Sequence, residues 1–139
     1  MAATIANQAL LDILDDASAD ADELNGTLHL YQNDYTPLTS SVAGDFTECT
    51  FSGYAAYDFA AGGQNWPSAG LDGSNNAQSV HTDVEFEHNG GATANDVYGY
   101  YMLDGGGDFI CGERYAGAPF NINAVGQKFT VSPTVKLKR

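Results

Sequence analysis

Glu85 and Glu87 stand at alternate positions around Phe86, a spacing that sets two carboxylates on one face of a strand. Such a pair could do the acid and base work of glycoside hydrolysis, although a solvated strand face is the usual reason for this spacing. Asp72-Gly73-Ser74-Asn75-Asn76 places oxygen side chains at positions one, three and five, as a calcium-binding loop begins. Ala77 stands where that loop has its glycine, and Asp83 where it has its bidentate glutamate. Asp104 and Asp108 flank three glycines and present further oxygens. Aspartate, asparagine and glycine are also the residues that tight turns demand. The expectation is no cofactor, with calcium at Asp72, Ser74, Asn76, Asp104 and Asp108 as the alternative.

Nucleophilic chemistry finds less support. Cys49, Ser52 or Ser79 could meet a histidine in space, but the Gly-x-Ser-x-Gly elbow is absent. Zinc would need Cys49 and Cys111 to converge with two of His29, His81 and His88, and no short spacing favours that. The two cysteines could pair with each other or lie separately as small buried residues. No catalytic residue is assigned, and the chain is not expected to be an enzyme. The aromatics suggest binding instead. Trp66 leads a Pro-containing loop, and Tyr98, Tyr100 and Tyr101 lie in one apolar stretch. On a strand, Tyr98 and Tyr100 would point one way and Tyr101 and Leu103 the other. One face would be core and the other a subunit interface. Alternatively, Trp66 and Tyr101 would be displayed as a ligand-binding surface.

The elements that must position these residues are mostly strands. Only the start of the chain has helical periodicity: Ala6, Leu10, Ile13, Leu14 and Ala17 recur on one face, between polar residues. Asp15 to Glu23 is rich in Ala and Asp, and Asn25-Gly26 is a stop signal. From Thr27 the period becomes two. Apolar alternation marks strands near 27–31, 46–59, 80–86, 97–103, 109–115 and 129–137, separated by Gly, Asn, Asp and Pro. Residues 61–77 and the stretch around Pro119 and Asn121 are expected as loops. No helical crossover lies between strands, so the sheets should be antiparallel. The fold class expected is all-β, an antiparallel β-sandwich or jelly roll with a short N-terminal α-helix. Residues 1–25 would form that helix and an acidic connector, and 26–139 the β-sandwich domain.

The 139 residues carry 18 acids and five bases, a net charge of −13. Lys136, Lys138 and Arg139 are three of those bases, so residues 1–135 hold 18 acids against Arg114 and Lys128, a net of −16. Such a body repels phosphate, and neither nucleic acid nor an anionic membrane is an expected partner. No apolar run approaches the roughly 20 residues of a membrane-spanning helix. The opening MAATIANQALLDILDD has no basic region and turns acidic by Asp12, unlike a secretory signal.

The segments LHLYQNDYTP, GDFTECTFSGYAAYDF, VEFEHNGG, NDVYGYYMLDGGGDFICGERY and KFTVSPTVKL, in that order, resemble small structural proteins of tailed bacteriophages. The likeness spans about residues 27–137. It implies a β-rich virion component, a capsid decoration or cement protein, and it implies no catalytic residues. The expected partners are the major capsid protein or other virion proteins and further copies of this chain, as a homo-oligomer and a trimer by preference. The expected location is the virion, after assembly in the host bacterial cytoplasm. A lectin-like receptor- or glycan-binding head of a tail fibre is the alternative.

Interface candidates follow from the same residues. Leu10, Ile13 and Leu14 make a narrow apolar stripe on a helix too short to stand alone in water, so it must dock. Tyr98 and Tyr100 could face a neighbour. Lys136, Lys138 and Arg139 alternate with Val135 and Leu137 as on an edge strand, where charge discourages stray pairing or meets an acidic patch.

Overall fold

Apolar residues at every second position, broken every few residues by turn formers, build eleven short strands and no long helix in the computed structural model, which describes residues 26–59 and 66–137. The expected N-terminal helix, with Leu10, Ile13 and Leu14, lies outside the described residues, as do Lys138 and Arg139.

The strands are β1 (Thr27–Tyr31), β2 (Tyr57–Asp58), β3 (Gly70–Leu71), β4 (Ala77–Val80), β5 (Val84–Glu87), β6 (Asn95–Val97), β7 (Gly99–Leu103), β8 (Phe109–Arg114), β9 (Phe120–Ile122), β10 (Lys128–Val131) and β11 (Thr134–Leu137). All pairings are antiparallel. A four-stranded sheet runs β2-β1-β7-β8, a three-stranded one β11-β4-β3, and two-stranded ribbons pair β10 with β5 and β6 with β9. Among the described residues no sheet closes on itself. The all-β, antiparallel class read from the sequence is the class observed.

Alternation decides what is buried. Leu28 and Leu30 on β1 and Tyr100 and Met102 on β7 point into the main core. Val84 and Phe86 of β5, Ala77 of β4, Val97 of β6, Ile122 of β9 and Val131 of β10 meet them there, so all four sheets share one core. The opposite face of β1 and β7 makes a second cluster, Tyr31, Tyr101 and Phe46, with Tyr35, Tyr98, Leu103 and Phe109 packed around it.

Several local expectations change. The strand expected from Phe46 onward is an extended segment with a single bridge, Tyr31 to Glu48. Side-chain amides take over ladder positions: the Thr47 N–H donates to Asn33 Oδ1, the Thr50 N–H to Asn95 Oδ1, and Gln32 Nε2 to the Glu48 carbonyl. Gly53 then turns the chain at φ 94°, a region that disfavours any side chain. Two loops prove to contain strands. Gly70–Leu71 pairs with β4, and Phe120–Ile122 pairs with β6 despite Pro119 and Asn121.

Candidate functional site

The two aspartate loops are built as turns. Asp72 Oδ1 accepts the N–H groups of Ser74 and Asn76 at 2.8 and 2.9 Å, and Asp72 Oδ2 lies 2.9 Å from Lys136 Nζ. Lys136, followed by those N–H donors, holds the Asp72 carboxyl well below the usual carboxylate range. Asp104 Oδ1 likewise accepts from Gly106 and Asp108 at 2.9 Å each. The first carboxylate oxygen of each loop is thus committed to closing its own turn, and no cluster of three or more metal-ligating side chains occurs among the described residues. Glu85 and Glu87 share the exposed face of β5, and Lys128 reaches both from β10, at 3.1 and 3.7 Å.

The aromatic candidates are not displayed. Trp66 is 9% exposed and packs in the main core on Phe59 and His81. Tyr101 is 4% exposed, stacked between His29 and Phe46. The alternative of a ligand-binding surface at Trp66 and Tyr101 is therefore closed by the chain's own packing. The proposed Tyr98 and Tyr100 face also divides. Tyr100 enters the main core, whereas Tyr98, between β6 and β7, packs on the second cluster under the Arg114 guanidinium, 5.5 Å from the ring centre. A break in the ladder at Tyr98 reverses the alternation that the sequence implied.

Both cysteines are free thiols, and burial pushes Cys49 up to about 12 and Cys111 to about 11. Cys111 Sγ lies 3.7 Å from Met102 Sδ.

Apolar surface is displayed beside β8 as well as at Leu71, Val80, Phe120 and Val125. Strand β8 is an edge of the four-stranded sheet, and its residues Phe109–Gly112 floor an open cleft of about 540 Å³. Pro37, Leu38, Thr39 and Ser41 form the other wall. Leu38 is 59% exposed and nearby Val42 58%, among the most exposed large apolar side chains described. The wall is held in shape: Ser41 Oγ accepts from the Leu38 N–H at 2.8 Å and is bonded to the Tyr35 hydroxyl at 2.8 Å, while Asp45 Oδ2 accepts from the Val42 N–H at 2.9 Å. A fixed loop that exposes leucine and valine beside an open strand edge can dock another protein by apolar contact and by backbone pairing. No spacing in the sequence announced it, since Leu38 and Val42 sit in a stretch without period-two alternation.

Polar chemistry is concentrated elsewhere, on the second face of β1. His29 Nδ1 lies 2.7 Å from Glu48 Oε1, and His29 Nε2 lies 2.7 Å from Thr27 Oγ1. The Tyr54 hydroxyl donates to the same Glu48 oxygen at 3.0 Å and accepts from the Leu30 N–H at 3.1 Å. Sequence reasoning missed this group. Thr27 and His29 are visible as strand neighbours at i and i+2, but Glu48 comes beside them only through the Tyr31 to Glu48 bridge.

No helix among the described residues is long and apolar enough to cross a membrane. Comparison with family models, with curated proteins and with solved structures finds no match.

Proposed function

We propose that this chain is a structural protein of a bacteriophage virion, a capsid decoration or cement protein that binds and stabilises neighbouring capsid subunits. The observation that carries the reading is the β8 edge with its rigid apolar wall at Leu38 and Val42, on a body of strongly negative charge. The likeness of the segments over residues 27–137 to small phage structural proteins supports the same reading. The single core shared by four antiparallel sheets supports a β-sandwich of the jelly-roll kind. The partner patch would be apolar at its centre and cationic at its rim, since opposite potentials steer and orient docking. The protein acts as a homotrimer, so that three such edges face the capsid together.

Fractionation of purified particles tests the reading. The chain is expected in the virion in fixed ratio to the major capsid protein, and release of soluble protein is expected for Leu38→Asp and Val42→Asp variants that still fold. Absence of the wild-type chain from particles overturns the assignment. Light scattering of the free protein tests the trimer.

A further inference from the structure

Beyond that structural role, we infer that Thr27, His29 and Glu48 form an acyl-transfer relay with Thr27 Oγ1 as its nucleophile. A carboxylate only accepts hydrogen bonds, so the 2.7 Å contact with Glu48 places the proton of His29 on Nδ1. His29 Nε2 is then an acceptor, and the Thr27 hydroxyl, 2.7 Å away, donates to it. This is the polarity that a general base needs to take a proton from a hydroxyl. The base is held by two neighbours, one of them braced in turn. Tyr101, its direct cross-strand partner, stacks on the ring at 4.8 Å and 14°. Glu48 grips Nδ1, and Tyr54 in turn fixes Glu48 at 3.0 Å. Burial pushes the Tyr54 phenol well above its usual range, and the Glu48 charge adds to this, so Tyr54 remains a donor.

The nucleophile has room for a substrate. Thr27 lines an open cleft of about 490 Å³ whose other walls are Gly26, Asp58, Asp104 and the glycines 105–107. The glycines 105–107 carry no side chain into this cleft, whereas Gly26 is packed against the Leu103 carbonyl. The carboxylates Asp58 and Asp104 disfavour anionic substrates, so the cleft suits neutral or cationic esters. In the reaction, Thr27 Oγ1 forms a bond to the ester carbonyl carbon while its proton passes to His29 Nε2. The tetrahedral adduct collapses, the C–O bond to the alcohol breaks, and the departing oxygen takes the proton from His29. Water then attacks the acyl-threonine, gives its proton to His29 Nε2, and the acid leaves as Thr27 is reprotonated. Glu48, 2.7 Å from the ring, balances the transient imidazolium charge. Glu48 and Tyr54 are positioning residues, since neither touches the substrate.

The experiment treats the full chain with p-nitrophenyl acetate and, separately, with an alkyl fluorophosphonate. The expected result is one phosphonyl adduct per chain, mapped by mass spectrometry to the peptide holding Thr27, with fluoride released. Thr27→Val abolishes it, whereas Thr27→Ser, which keeps the hydroxyl, labels at least as fast as the wild type. His29→Gln slows labelling by about 10²- to 10⁴-fold. Glu48→Gln slows it and changes its pH profile, which a merely structural contact would not do. No adduct on the folded wild-type chain, or an adduct that survives Thr27→Val, overturns the proposal. Because the virion role does not depend on this hydroxyl, Thr27→Val particles retaining the protein would separate the two readings.

Discussion

The two faces of the sheet β2-β1-β7-β8 are made from the same strands by opposite means. One face sets Leu28, Leu30, Tyr100 and Met102, each 4% exposed or less, into the main core. The other sets Thr27, His29, Tyr31 and Tyr101 beside Phe46 and Glu48. The first face is held by area removed from water, which is non-directional and large. The second adds to its own buried aromatic area, at Tyr31, Phe46 and Tyr101, ring stacking and hydrogen bonds whose net worth is modest and whose geometry is strict. Residues i and i+1 of one strand therefore answer to different physics. The apolar face provides stability, and the polar-aromatic face spends part of it on fixing atoms in place.

The sharpest break of this comparison is Leu28→Ala. Leu28 is fully buried opposite Met102, and its loss should cost about 2–5 kcal/mol, through lost transfer energy and the cavity left behind. Urea unfolding reads this as a fall in midpoint at unchanged slope. Thr27→Ala, one residue away on the half-buried other face, should cost about 1 kcal/mol or less. Equal costs would remove the distinction between the faces.

Gly99→Ala comes next and strikes the join between the faces. A Cβ there would stand 1.9 Å from the Glu113 carbonyl oxygen and 2.8 Å from the Tyr31 ring. Backbone on one side and a fully buried ring on the other leave no way to relax, so overpacking should cost about 1–3 kcal/mol. Near-UV circular dichroism should report the displaced Tyr31 ring before the far-UV signal of the sheet changes.

How much of this was legible in the sequence differs by face. Leu28, Leu30, Met102, Val84, Phe86 and Val131 alternate with polar residues and declare a strand-built core without any knowledge of partners. The all-β, antiparallel class follows from that alternation and from the turn residues between strands. The second face was not legible. Its members come from residues 27 to 109, and a histidine or tyrosine gives no sign in the chain of whether it will be stacked or displayed. Trp66 and Tyr101 are both buried, so the alternative that displays them as a ligand-binding surface does not hold, whereas a core face at Tyr101 does. The docking wall at Leu38 and Val42 escaped notice because an exposed apolar loop has no periodicity. In the loop at Asp72 the turn chemistry was readable, but the Lys136 contact depends on β11 pairing with β4, which only long-range register determines.

Tyr54→Phe is a test of comparable size confined to the polar network. It removes a donor from Glu48 and leaves the Leu30 N–H without the phenol oxygen it now meets at 3.1 Å. Losing one partner of a buried amide costs about 1–3 kcal/mol. Solution NMR should show the Leu30 amide exchanging faster, with Leu28 and Met102 unmoved. A shift spread over both faces would mean that the network and the core are one unit.

The smallest effect is expected at the surface, from Lys136→Gln. Lys136 faces out from β11, as the alternation with Val135 and Leu137 implied, but its ammonium is spent on Asp72 of the same chain. Within the described residues Lys136 also places a charge on the outer strand, since β11 ends its sheet. Asp72 has a lowered pKa in the folded chain, so the pair stabilises fully above the unfolded carboxylate value of about 3.9 and is lost as the pH falls through the lowered folded value. Gln cannot supply the charge, although the Ser74 and Asn76 N–H groups remain to lower the carboxyl. The Asp72 carboxyl should therefore titrate at a higher pH in the variant, by side-chain carbonyl NMR, while staying below an ordinary aspartate. Melting temperatures of the two proteins should differ slightly near pH 7 and converge in acid, with the gap narrowing in salt. A gap that widens toward low pH would reverse the sign of this linkage and show that Lys136 acts on some group other than Asp72.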